Sequence, residues 1–146
     1  RLKKANVKTL PYPGFPTDLQ SPLMALMAAG NGNGEIRETV FEERFGTAEE
    51  LRKLGARIEI QKDRARIHGM YPLRGETVQA ADLRGGAALV IAGLAAEGVT
   101  KIQNSHHIFR GYEDICGDLR ALGARVRYKD LIQRPYTKTG ECTRNL

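Results

Sequence analysis

Cysteine occurs only twice in the 146 residues, as Cys116 and Cys142, and the two are neither close in sequence nor set in a metal-ligand spacing. A disulfide framework and a zinc module are therefore excluded as organising devices. Histidine occurs three times. His106 and His107 are adjacent, which on a strand points them to opposite faces and makes joint ligation of one metal awkward. They read as structural or surface residues, and Cys116 as one that a helix buries.

No apolar run reaches the roughly 18 residues of a membrane span, and the first residues lack a signal-peptide apolar region. A cytoplasmic protein with no membrane partner is the expectation. Lys and Arg number 23 against 17 Asp and Glu, a formal charge of +6, which draws anions at long range. These basic residues are scattered, however, without the dense cluster or interleaved aromatics of a nucleic-acid surface, so no nucleic-acid partner is expected. Length alone predicts one domain with a core of its own.

What the chain does contain is a repetition. Asp18-Leu19, an apolar run and Leu54-Gly55-Ala56-Arg57-Ile58 are answered by Asp82-Leu83, another apolar run and Leu122-Gly123-Ala124-Arg125-Val126. Between them an arginine recurs, Arg44 in Phe-Glu-Glu-Arg-Phe and Arg110 in Ile-Phe-Arg-Gly-Tyr. The spacing predicts a duplicated structural unit.

In the first copy, three prolines and a glycine at positions 11–16 mark a shaped loop. A helix with apolar periodicity comes next, from Leu19 to Ala29, with Thr17 or Asp18 as its cap. Gly30-Asn31-Gly32-Asn33-Gly34 stops it, residues that tolerate left-handed backbone. A phosphate cradle there is a weaker reading, because the glycines follow a helix and precede a strand.

The next elements are a strand over 35–41, a turn at Arg44, and a helix from Thr47 with Glu50 in a capping-box position. A hairpin over 56–68 turns at Lys62-Asp63. The second copy predicts a strand at 78–80, an apolar helix over 87–96, a strand over 100–103, a helix over 112–122 and a strand over 124–128. From about Leu131 neither period persists, so 131–146 reads as a tail.

Asp18 and Asp82 begin equivalent helices, and helix capping explains either one alone. Arg84 lies two residues after Asp82, while Arg44 and Arg110 stand at strand-to-helix turns where loop residues can face a cleft. Arginine suits bidentate recognition of carboxylate and phosphate, so the group predicts an anionic ligand carrying both.

The stretches Pro11-Tyr12-Pro13-Gly14-Phe15-Pro16-Thr17-Asp18-Leu19-Gln20, Glu38-Thr39-Val40-Phe41-Glu42-Glu43-Arg44-Phe45, Asp82-Leu83-Arg84, Ala92-Gly93-Leu94-Ala95-Ala96-Glu97-Gly98, Arg110-Gly111-Tyr112-Glu113 and Leu119-Arg120-Ala121-Leu122-Gly123-Ala124 closely resemble the UDP-N-acetylglucosamine enolpyruvyl transferases over roughly residues 1–130. That resemblance implies an α+β fold of βαβαββ repeats, an inside-out α/β barrel with helices inside and sheets outside. Two repeat units of one domain, at about 14–70 and 78–130, would be present.

It also implies enolpyruvyl transfer from phosphoenolpyruvate to the 3-hydroxyl of UDP-N-acetylglucosamine, the first committed step of peptidoglycan synthesis, with no cofactor. Asp18 would be the general base, Val40 would touch the UDP-sugar through its backbone, and Arg44, Asp82, Arg84 and Arg110 would line the same cleft. Departures from the pattern are Phe109, where an aspartate is usual, and Gly46-Thr47 in place of Met-His. The family's Lys-Asn pair and cysteine loop match nothing here, so the chain is expected to be a C-terminal portion, inactive without the N-terminal portion. Competing readings are a fragment of the shikimate-pathway relative EPSP synthase and a non-catalytic nucleotide- or nucleic-acid-binding module of the same fold.

Overall fold

The computed structural model describes residues 5–69 and 72–128. The expected tail at 131–146, with Cys142, lies outside the described residues. The chain divides into two compact units, Arg1–Glu113 and Asp114–Leu146, a division inside the second expected repeat rather than between the two.

The first unit opens with β1 (Asn6–Lys8), then α1 (Gln20–Ala29), β2 (Asn33–Arg37), α2 (Thr47–Lys53), β3 (Arg57–Gln61) and β4 (Arg64–His68). This is one complete βαβαββ set. The short β1 was not legible in the sequence, since three residues carry too little alternation to declare a strand. It pairs in parallel with β2 and completes a sheet ordered β1-β2-β4-β3.

The inward face of that sheet is apolar. Ile36 stands opposite Ala65, and Ile58 opposite Ile67, all buried. Its outward face is charged, with Glu35 accepting from Arg64 at 3.1 Å and Arg66 at 3.3 Å across β4. Alternation of apolar and charged residues at period two thus dictates which face meets the helices.

Further elements of the unit are β5 (Leu73–Arg74), β6 (Thr77–Gln79), α3 (Leu83–Ala95), β7 (Ala96–Glu97) and β8 (Lys101–Gln103). β6 pairs in parallel with β8, and β5 with β7. The equivalent helices of the two copies, α1 and α3, make the most extensive packing of any pair of elements. Small residues allow it: α1 buries Ala25 and Ala28 beside Met24 and Met27, and α3 buries Gly85, Gly86, Ala87, Ala88, Leu89 and Ala92. Leu51 and Leu54 of the α2 end are fully buried in the same core, each contributing about 1.5–3 kcal/mol through apolar burial.

In the second unit, α4 (Ile115–Ala121) is capped by Asp114, whose Oδ1 accepts from the Gly117 N–H at 3.0 Å, and it buries Cys116. The repeated Leu-Gly-Ala signature builds the same helix exit twice. Gly55 and Gly123 both take left-handed backbone, φ 92 and 90, and Ala56 N donates to Leu51 O as Ala124 N does to Leu119 O.

Several local expectations are corrected. A 3-10 turn, Thr17–Leu19, precedes α1, which has no side-chain cap from Thr17 or Asp18, because both side chains are engaged elsewhere. Gly30 leaves α1 in an extended conformation, ψ 179, and a bend over 30–32 leads to β2 at Asn33. β2 ends at Arg37, because the Thr39 N–H is taken by the Thr9 hydroxyl and those of Val40 and Phe41 by the Glu38 carboxylate.

Glu50 makes no capping box. Its carboxylate accepts instead from Lys53 Nζ at 2.7 Å and Gln79 N at 2.9 Å. His106 and His107 lie in a 3-10 helix, Ser105–Arg110, with ring centroids 4.1 Å apart, not on a strand. Residues 124–128 form no strand among the described residues: the equivalent β3 exists by pairing with β4, and the positions that would supply such a partner here come after Tyr128, beyond the described residues.

Candidate functional site

Asp18 is placed by the loop before it. Leu10 N–H donates to Phe15 O at 3.0 Å and Gly14 N–H to Pro11 O at 2.8 Å, folding the proline-rich segment back on itself; the Tyr12-Pro13 bond is cis. Tyr12 is wholly exposed at its tip. The chain then enters the 3-10 turn with Thr17 half-buried and the Asp18 side chain in solvent.

Two arginines from different parts of the fold converge on one oxygen of Asp18. Arg84, in the first turn of α3, donates through Nε to Oδ1 at 2.6 Å, and Arg44, from the turn between β2 and α2, reaches the same atom through Nη2 at 3.4 Å. Oδ2 of Asp18 accepts no bond among the described residues. The hydrogen bond and charge of Arg84, aided by Arg44, hold the Asp18 carboxyl below its usual range despite partial desolvation. An ionised carboxylate with one open oxygen results.

Arg84 commits only Nε to Asp18, and its own pKa is raised by that bond. Its two Nη groups donate to no acceptor among the described residues. Arg44 is held on three sides: Nη1 donates to the Thr17 hydroxyl at 2.8 Å, Nη2 faces Asp18, and its Cζ lies 4.6 Å from the centre of the exposed Phe41 ring.

Behind Arg44 sits a carboxylate that sequence inspection missed. Glu38 is 3% exposed, and it continues the inward alternation of Gly34 and Ile36 past the end of β2. Its Oε1 accepts from Thr9 Oγ1 at 2.8 Å, Val40 N at 2.9 Å and Phe41 N at 3.1 Å, while Oε2 accepts from Thr17 Oγ1 at 2.8 Å. Burial alone would raise the pKa of this carboxyl, but those donors outweigh burial and bring it below its ordinary value. The available signal was a charged residue at an inward-facing strand position.

Of the six residues singled out from sequence, Asp18, Arg44 and Arg84 are brought into contact. Val40 joins them through Glu38: its N–H is taken, and its carbonyl accepts no bond among the described residues. Asp82 caps α3, its Oδ1 accepting from Gly85 N at 2.8 Å, and its charge also acts on Arg84. Arg110 ends the 3-10 helix exposed, and the adjoining Gly111 abuts the Leu83 side chain, next to Arg84. A surface depression lined by Arg52, Arg57, Glu59 and His68 on the β3 edge contains none of these residues.

The βαβαββ unit with its mixed sheet has the α+β fold of the enolpyruvyl transferases. The chain belongs to the EPSP synthase (3-phosphoshikimate 1-carboxyvinyltransferase) family, whose model matches residues 1–119. Within it, the chain is 50% identical over 126 residues to a UDP-N-acetylglucosamine 1-carboxyvinyltransferase of Finegoldia magna, covering 86% of this chain and 30% of that protein.

Among solved structures it superposes on the enolpyruvyl transferase NikO of Streptomyces tendae with a TM-score of 0.74 and 39% identity, over 87% of this chain and 29% of that one. EPSP synthase of Acinetobacter baumannii shares the fold at TM-score 0.53 and 22% identity, over 59% of this chain and 21% of that one. The chain thus spans about 30% of the length of most of these curated relatives, and 51% of one from Desulfofundulus thermocisternus. No helix among the described residues is long and apolar enough to cross a membrane.

Proposed function

We propose that this chain supplies one wall of a site that transfers the enolpyruvyl group of phosphoenolpyruvate to the 3-hydroxyl of UDP-N-acetylglucosamine, with release of phosphate, at the entry to peptidoglycan synthesis. Asp18 is the general base, taking the hydroxyl proton on its open oxygen. Arg84, Arg44 and Arg110 bind the phosphate and carboxylate of phosphoenolpyruvate, and Asp82 fixes the start of the helix that carries Arg84. The Val40 backbone contacts the UDP-sugar.

The observation that carries this reading is the meeting of Asp18 with Arg84 at 2.6 Å, which leaves one carboxylate oxygen and a guanidinium fork open side by side. A carboxylate in that setting can accept a proton from a hydroxyl, and guanidinium groups can neutralise charge that shifts onto a departing phosphate. Identity to UDP-N-acetylglucosamine 1-carboxyvinyltransferases near 50% favours the nucleotide sugar over shikimate 3-phosphate as acceptor. Turnover requires residues beyond the 146 present, since the Finegoldia magna relative is about three times as long. A cytoplasmic setting accords with both substrates.

Thermal denaturation with each ligand tests the choice of acceptor. UDP-N-acetylglucosamine raises the Tm of the chain and shikimate 3-phosphate does not; the reverse pattern assigns the chain to shikimate chemistry. A coupled phosphate-release assay with both substrates gives no signal from the chain alone, and measurable turnover would contradict its being one part of the catalytic unit.

A further inference from the structure

The Thr17 hydroxyl has one proton, and the structure shows where it goes. Glu38 Oε2, on an ionised buried carboxylate with no donor of its own, claims that proton at 2.8 Å. The Thr17 oxygen is thereby turned into a pure acceptor toward Arg44 Nη1, also at 2.8 Å. Charge-assisted bonds of this length fix direction as well as energy. Since Arg44 Nη2 is the group that faces Asp18, the direction of the Thr17 hydroxyl decides where the guanidinium points.

We propose that Glu38 and Thr17 are positioning residues, forming a two-bond relay from a buried carboxylate that aims Arg44 at the site shared with Asp18. Neither touches the reacting atoms. Glu38 also ties down the turn bearing Val40 through Oε1, so one side chain sets both the turn and the guanidinium. Among the described residues Arg44 forms its ion pair with Asp18, which Arg84 also contacts. The role of the relay in ligand binding rests on the enolpyruvyl-transfer reading above; the aiming of Arg44 does not.

Glu38→Gln separates the two jobs of the carboxylate. The retained carbonyl oxygen keeps the bonds from Thr9, Val40 and Phe41, while the new amide puts a second donor on the Thr17 oxygen and strands the hydroxyl proton. Thr17→Val removes the hydroxyl at constant shape, and Thr17→Ser restores it. Arginine side-chain NMR on the full chain, without ligand, reads the restricted rotation of the Arg44 guanidinium.

Rotation is slow in the parent and in Thr17→Ser, and fast in Thr17→Val and Glu38→Gln. Adding Glu38→Gln to Thr17→Val has little further effect, because both act through one hydroxyl. Unchanged Arg44 rotation in Glu38→Gln, or independent addition of the two substitutions, would overturn the relay whatever the ligand. In phosphoenolpyruvate titrations the same two variants bind about tenfold more weakly, the size of one lost hydrogen bond to a charged group. If the parent binds no phosphoenolpyruvate while the rotation pattern holds, the enolpyruvyl-transfer reading fails and the relay stands.

Discussion

Arg84 donates to Asp18 across 2.6 Å, so the helix start of the second copy supplies the cation for the carboxylate of the first. The two aspartates at equivalent places therefore do different work. Asp82 keeps the task of capping a helix, and Asp18 is released from it to face two arginines.

Stability measurements separate the two aspartates. Asp82→Ala costs about 1 kcal/mol through loss of the cap, whereas Asp18→Ala, at an exposed surface ion pair, stays within about 0.5 kcal/mol. Urea denaturation midpoints of the two variants compare them directly, and equal losses would show that Asp18 also serves as a cap.

Removing the arginine isolates its hold on the carboxylate. In Arg84→Ala the Asp18 carboxyl returns toward its ordinary value of 3.8, because Arg84 is the first cause of its lowering. Carbon-detected NMR titration of the aspartate side chains checks this. An unmoved titration would place the control of Asp18 elsewhere.

Acid stability carries the same signature. Asp18 and Glu38 both titrate lower when folded than their ordinary values of 3.8 and 4.5, so the unfolded chain binds more protons over that interval. Their contribution is fully present above those ordinary values and is lost as pH falls through the folded ones. Urea midpoints therefore drop as pH is lowered below about 4.5, and Glu38→Gln flattens part of the decline.

These two carboxylates also mark how far the sequence could be read. The repeat, the hairpin turning at Lys62-Asp63 and the paired Leu-Gly-Ala exits were legible because turn chemistry and period-two alternation are local. The pairing of Asp18 with Arg84 spans 66 residues and was legible only as two residues of suitable type. Glu38 went unseen because a glutamate at a strand end is ordinarily solvated, and its burial depends on Thr9 and Thr17 arriving from another segment.

The packed core sets the frame for the site. Leu51→Ala removes a fully buried side chain beneath α2 and costs about 2–5 kcal/mol. Thermal unfolding measures it, and a loss under about 1 kcal/mol would mean that the site relaxes around the gap.

Arg44, Arg84 and Arg110 are proposed to form one anion-binding wall beside Asp18, and side-chain NMR of the arginines during a phosphoenolpyruvate titration tests this most directly. The three arginines shift together along one binding curve while Arg57, Arg64 and Arg66 on the outer sheet stay still. Shifts scattered over the outer arginines, or none at these three, would contradict it.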